Sequence, residues 1–296
     1  MSGAVLSSGR ASVPVWTRWL GGKRGNWLLW TPAALYLLVF FVLPLIGNAR
    51  LSLTVASGPG WSFAHYAKLF GDPFYFEIIM RTLWVSLVTT LICLAIGYPT
   101  AYFLVRRAGR LAPLMIFFLI APLLTSIIMR TFGWRVLLAR KGLVSTWLLD
   151  LGVIDRPLDL LNQPVAVYLG LVHVLVPFMV LSIAPVLQVI DRGLEESARV
   201  LGANGLQTFL KVTLPLSLDG IATGAILVFM LTNGSFLTML LLGGGTVVTL
   251  PLMIYQQFNL TQDVAFAAAM GNTLLCFALI CLFLQIRLIR RRGVGR

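Results

Sequence analysis

Charge is what this chain lacks most. Of its 296 residues 11% are charged and only 10 are acidic, against about 25% charged in a soluble globular domain. So little charge could not cover a water-exposed surface, which excludes an ordinary soluble enzyme. A composition that is 58% hydrophobic excludes intrinsic disorder. Cysteine is nearly absent: Cys93, Cys276 and Cys281 each lie inside an apolar run. They offer neither a disulfide scaffold nor metal-ligand spacing, and read as small core- or lipid-facing side chains. Histidine is limited to His65 and His173, which are not near-neighbour ligands, so no metal site is expected. No Ser/His/Asp or Cys/His constellation stands out. The G-x-x-x-x-G-K-[ST] phosphate loop is missing too: Gly21-Gly22-Lys23 is followed by Arg24 and lacks the upstream glycine. No catalytic residue is assigned, and the chain is not expected to be an enzyme.

What is present is apolar length, with a mean hydropathy of +0.91. A membrane-spanning helix needs about 20 mostly apolar residues. Charge-free windows cover 26–48, 82–105, 111–129, 160–190 and 264–286. A further window, 220–262, is too long for one span; Gly243-Gly244-Gly245 divides it and places a fifth helix at 220–242. The expected fold is all-α, a polytopic membrane protein of six transmembrane helices. A basic segment, 1–26, would precede a single transmembrane domain, 27–296. No secretory cleavage pattern is evident, so the first helix is expected to be retained.

The net charge of +13 raises nucleic acid as a partner, but the positions of the charges argue for a bilayer instead. With both termini in the cytoplasm, the inner side holds 15 of the 23 basic residues and 4 of the 10 acids, a net +11, and the outer side a net +2. This satisfies the positive-inside rule, giving an N-in, C-in topology with basic tails facing anionic lipid. Two outer segments, around 61–70 and 134–149, mix Trp and basic residues with apolar ones. They read as interfacial helices that anchor the chain or offer a docking face. At membrane depth the ionisable residue is His173, either a packing residue or a pathway lining. Carriers driven by H⁺ or Na⁺ rely on intramembrane ionisable groups, so energy is expected from a partner that hydrolyses ATP. A self-sufficient carrier or channel, and a signalling scaffold, are the rival classes.

The longest inner connection, 191–215, is patterned as two short helices. Asp191 can cap the first, with Glu195 and Glu196 near its positive end. Glu195 and Arg199 have i,i+4 spacing. Gly202 can take the positive φ of a helix stop. Asn204 and Gln207 have capping-box spacing for a second start, Leu206, Phe209, Leu210 and Thr213 share one face, and Pro215 closes the element. The outcome is a hairpin that either merely joins two spans or, with small side chains at Ser197 and Ala198, admits a partner surface.

Glu196-Ser197-Ala198, three residues, Gly202, nine residues and Val212-Thr213-Leu214-Pro215 resemble the E-A-A, three residues, G, nine residues, I-x-L-P loop of bacterial binding-protein-dependent ABC-importer permeases. Ser197 and Val212 are small departures from it. The likeness extends to Leu43-Pro44, Arg130-Thr131-Phe132-Gly133-Trp134, Val176-Pro177-Phe178, Gly234-Ser235-Phe236 and Leu242-Gly243-Gly244, and is greatest to the first permease of spermidine/putrescine systems. Asp219 replaces a common Pro. The resemblance implies a type I importer-permease fold in a bacterial inner membrane. It also implies a second, non-identical permease, two ATP-binding subunits that carry ATP and Mg²⁺, and an external solute-binding protein, with no cofactor on this chain.

Coupling to the ATPase is then expected of Glu195, Glu196, Ser197, Ala198, Arg199, Gly202 and Pro215. A push on the hairpin would tilt the fourth and fifth spans, with hinges at Gly202 and Pro215. Polar groups at membrane depth avoid lipid, which nominates Thr125, Ser126, His173, Asn233, Ser235 and Thr238 for the translocation pathway or for knitting helices together. The cargo expected is a polyamine. An opine, a phosphonate, ferric iron or thiamine are alternatives within the class, since the spans carry no acid to favour a polycation.

Overall fold

The computed structural model describes residues 23–55 and 58–293. Most of the segment expected at 1–26 therefore lies outside the described residues, as does Arg296. Contacts divide the chain at Leu51/Ser52.

The first unit is one run, α1 (Lys23–Leu37), a π turn (Leu38–Val42) and α2 (Leu43–Leu51). Of it, Trp30–Leu51 is long and apolar enough to cross a membrane. The π turn has a chemical cause. Pro44 has no N–H and its ring crowds the carbonyl four residues earlier, so the helix widens ahead of it and the Leu43 N–H reaches back to the Leu38 carbonyl.

The second unit begins with a small antiparallel ribbon, β1 (Thr54–Val55) and β2 (Gly58–Trp61), then α3 (Ala64–Gly71). Asp72 turns the chain and caps α4 (Pro73–Arg106), its Oδ1 accepting the Phe74 N–H at 2.9 Å. The window expected at 82–105 thus grows to 34 residues. The added residues 73–81 tolerate charge because Glu77 and Arg81 pair at i,i+4.

After a 3₁₀ turn (Gly109–Leu111) come α5 (Ala112–Leu124), α6 (Ile127–Leu138), α7 (Leu143–Asp150) and α8 (Pro164–Val189). The straight third span expected at 111–129 does not form. Thr125 and Ser126 are extended, with ψ of 139° and 134°, and the chain bends by 99° there. Absence of charge marks a window as apolar but says nothing of where a helix breaks. The interfacial segment at 134–149 is accordingly parts of two helices.

Beyond the hairpin lie α12 (Leu218–Asn233), α13 (Leu237–Leu242), α14 (Leu250–Asn259) and α15 (Val264–Gly293); the hairpin's own α9, α10 and α11 are described below. The continuous fifth helix expected at 220–242 is broken at Gly234-Ser235-Phe236. Helix α14, beyond the glycine run 243–245, starts where Thr82 Oγ1 accepts the Leu250 N–H at 2.8 Å. The described residues thus contain four long apolar helices, or up to six spans if each bent pair counts as one.

Helices α4, α8 and α12 pack on one another around fully buried Cys93, Met179, Ile183, Leu187 and Val228. Between lipid-solvated helices, close approach through small residues replaces the hydrophobic drive available in water. Gly97 on α4 and Gly224 on α12 both abut Met179: a Cβ at Gly97 would lie 2.8 Å from Met179 Cγ, and one at Gly224 2.7 Å from its Sδ. A second cluster joins Leu69 of α3, Ile78 and Ile79 of α4, Leu250 and Met253 of α14, and Phe266 and Met270 of α15.

Gly97→Val is expected to force α4 from α8 and lower stability by about 1–3 kcal/mol. Thermal unfolding in detergent reads this as a lower Tm. Gly133→Ala, where an added Cβ meets open space, should not lower it.

Candidate functional site

The hairpin is built by local chemistry. Asp191 Oδ1 accepts the Gly193 N–H at 2.9 Å and caps α9 (Arg192–Val200). At its far end Gly202 has φ +89°. Its N–H bonds the Arg199 carbonyl at 2.9 Å, while the Ala203 N–H reaches the Ala198 carbonyl at 3.0 Å. These two bonds form a Schellman stop, which satisfies carbonyls a bare helix end would leave open. The next helix, α10 (Gly205–Thr208), opens on a complete capping box. Asn204 Oδ1 accepts the Gln207 N–H at 2.8 Å, and Gln207 Oε1 accepts the Asn204 N–H at 3.1 Å.

A second π turn, Phe209–Thr213, leads into α11 (Leu214–Leu216). It has the cause seen at Pro44: Pro215 follows, and the Leu214 N–H reaches the Phe209 carbonyl. The extra residue changes the phase, so the single apolar face expected of Leu206, Phe209, Leu210 and Thr213 is split. Leu206 and Leu210 are exposed and Thr213 is buried. Phe209 lies edge-on to Tyr98 and Tyr102 of α4, at 5.5 and 6.0 Å between ring centroids. Pro215 does not end the element. The run continues to Leu216 and bends by 65° into α12 at Ser217. Ser217 is buried; its hydroxyl donates to the Leu214 carbonyl at 3.0 Å and so accepts from Tyr98 Oη at 2.9 Å.

The two adjacent glutamates part company. Glu196 is exposed, whereas Glu195 is the buried residue of α9. Its partner is not Arg199 but Arg106, the last residue of α4, with Nη2 and Oε1 3.0 Å apart and both side chains 8% exposed. Thr213 Oγ1 donates to the same carboxylate oxygen at 3.1 Å. Arg106 Nη2 also donates to the Ile190 carbonyl at 3.0 Å, and Arg192 Nη2 to the Val105 carbonyl at 3.3 Å. Arg106 reads in sequence as a positive-inside charge, Thr213 as a member of the hairpin's shared face, and Tyr98 carries no local signal. The available signal was a pair of adjacent acids on a short helix: about 100° apart, one can face the bundle while the other faces water.

Among the remaining coupling residues, Ser197 and Arg199 are exposed and Ala198 is half-buried. The tip is apolar, with Val200 87% and Leu201 88% exposed. Beside it Tyr102, Arg106, Arg107, Arg192, Glu196 and Arg199 line a cleft of about 250 Å³.

Five of the six pathway candidates fall at the breaks, and His173 lies within α8. Thr125 and Ser126 are the two exposed, extended residues between α5 and α6. On α6, Arg130 donates to the Pro122 carbonyl, and Trp134 Nε1 donates to His173 Nδ1 of α8 at 3.2 Å. Asn233, Ser235 and Thr238 surround the other break. Asn233 Nδ2 donates to the Phe229 carbonyl at 3.0 Å while its buried Oδ1 has no hydrogen-bond partner among the described residues. Thr238 is buried and Ser235 half-buried. Because α13 packs on α6 and α8, the helices that follow both breaks are neighbours.

Long apolar helices, bent spans and a capped hairpin held to the bundle define a polytopic membrane protein of the type I importer-permease class. Residues 86–294 match the family of binding-protein-dependent transport system inner membrane components, and the chain belongs to that family. It is therefore an inner-membrane protein. It is 38% identical over 244 residues to the spermidine/putrescine transport system permease protein PotB of Escherichia coli (strain K12), covering 81% of this chain and 88% of that one. To PotB of Haemophilus influenzae it is 34% identical over 265 residues, covering 87% and 92%. In fold it resembles a chain of a bacterial ABC transporter that imports the acidic polysaccharide alginate, with a TM-score of 0.76 at 23% identity over 94% of this chain and 98% of that one.

Asn204→Ala removes the side-chain half of the capping box, the bond from the Gln207 N–H to Asn204 Oδ1, and should cost about 1 kcal/mol locally. Hydrogen exchange of the 205–208 amides is expected to quicken roughly fivefold.

Proposed function

We propose that this chain is the translocation subunit of an ATP-driven importer and passes a polyamine from an external binding protein to the cytoplasm. It works as one membrane domain, 27–296, with both termini inside. A second permease completes the pathway. Two partner subunits carry ATP and Mg²⁺ and perform the hydrolysis, so this chain itself is non-catalytic.

The observation that carries the reading is the hairpin tip. Val200 and Leu201 are almost fully exposed on a turn whose every end is capped. With Leu194 and Leu206 also exposed on the hairpin, this apolar edge supports reading it as a docking surface. The tip and the outward-facing Glu196, Ser197 and Arg199 seat in the ATPase. Closure of the ATPases displaces the hairpin, and α8 and α12, which leave its two ends, change tilt. The bend at Ser217 is the flexure on the α12 side. Cargo crosses beside the two breaks, because irregular backbone at membrane depth is tolerated only where it is buried in protein or lines a cavity. Thr125, Ser126, His173, Asn233, Ser235 and Thr238 flank that route. The polyamine assignment is supported by the PotB relatives and by their coverage of most of the chain.

The paired substitution Val200→Asp and Leu201→Asp should cut co-purification of the ATPase subunits at least tenfold while the chain still reaches the membrane. Undiminished capture would overturn the docking role. Vesicles holding all subunits should take up radiolabelled spermidine in competition with unlabelled putrescine; uptake indifferent to polyamines would overturn the cargo assignment.

A further inference from the structure

The buried ion pair between Arg106 and Glu195 binds the hairpin to a helix that is not adjacent to it in sequence. The hairpin follows α8 and precedes α12, yet its buried carboxylate is held by the end of α4 at 3.0 Å. Thr213 closes on the same oxygen from the π turn. Arg106 also grips the Ile190 carbonyl at the end of α8, and Arg192 of the hairpin grips the Val105 carbonyl of α4. Three segments therefore converge on one guanidinium, with a reciprocal bond a residue away. Phe209 lies against Tyr98 and Tyr102 of the same helix. Separating a buried charge from its partner strands it in a low-dielectric site, so parting the hairpin from α4 here is costly.

We propose that Arg106 and Glu195 are positioning residues that lock the hairpin to α4. The displacement imposed by the ATPases then moves the hairpin and α4 as one body, and reaches the bundle core through the seam of α4 with α8 and α12. This rests on the hairpin being the ATPase contact, but concerns where the displacement goes rather than what grips it.

Spin labels on Ala203→Cys in the hairpin and Arg110→Cys beyond α4, in the full complex with the native cysteines replaced, test it without reference to cargo. The distance should stay the same between the nucleotide-free and ATP–vanadate-trapped states, and should shift or broaden on trapping in Glu195→Gln. A distance that changes on trapping without the Glu195 substitution would overturn the proposal. For transport, Glu195→Gln and Arg106→Gln should each lower spermidine uptake about tenfold while ATPase subunits still co-purify. The charge exchange Arg106→Glu with Glu195→Arg should recover most of that loss. Singles that transport normally, or an exchange that rescues nothing, would equally overturn it. Failure of the docking reading would show separately, as ATPase capture by the Val200→Asp and Leu201→Asp protein.

Discussion

Met179 is fully buried on α8, with a glycine facing it from each side, Gly97 of α4 and Gly224 of α12. That triple contact sets the spacing of the three helices at the centre of the second unit. In lipid the exclusion of water cannot hold helices together, so stability depends on how closely the backbones approach. Gly170 repeats the device nearer the start of α8, where an added Cβ would lie 2.6 Å from Leu242 Cδ1 of α13. The short helix after the second break is thereby seated on the same scaffold.

With those spacings fixed, the end of α4 lies beside the hairpin, and the polar chemistry follows. The side chains that hold the hairpin, Tyr98, Tyr102 and Arg106, come from successive turns of α4. They meet Ser217, Phe209 and Glu195 in that order. The caps at Asp191, Gly202 and Asn204 make the hairpin stiff in itself, and the α4 contacts make it stiff relative to the core. Its free edge is the apolar tip. A stiff lever with one unsatisfied face is what a mechanical partner requires.

Much of this was legible in the residues. The apolar spans as a class and the hairpin with its caps and glycine stop depend on local rules, and local rules can be read from spacing. The breaks at Thr125-Ser126 and Gly234-Ser235-Phe236 could not be read from the charge-free windows, which measure polarity rather than backbone continuity. The pairing of Glu195 with Arg199 was a local guess overruled by tertiary structure: burial of α9 on the bundle offered Arg106, 89 positions earlier in the chain. No periodicity encodes a contact of that separation. The face expected of Leu206 to Thr213 failed for a subtler reason, since a helix of constant pitch was assumed across a stretch that widens before Pro215.

That widening has a consequence for how the chain tolerates change in length. Each π turn holds one residue more than the α-helical pitch needs, and one residue corresponds to about 100° of rotation. The wider turn takes up that rotation, so excising a single position from 209–213 would restore α-helical pitch and leave Ser217 turned to Tyr98 and the same flank of α12 turned to Met179. A surplus amino acid is thus stored locally, without twisting lever against core.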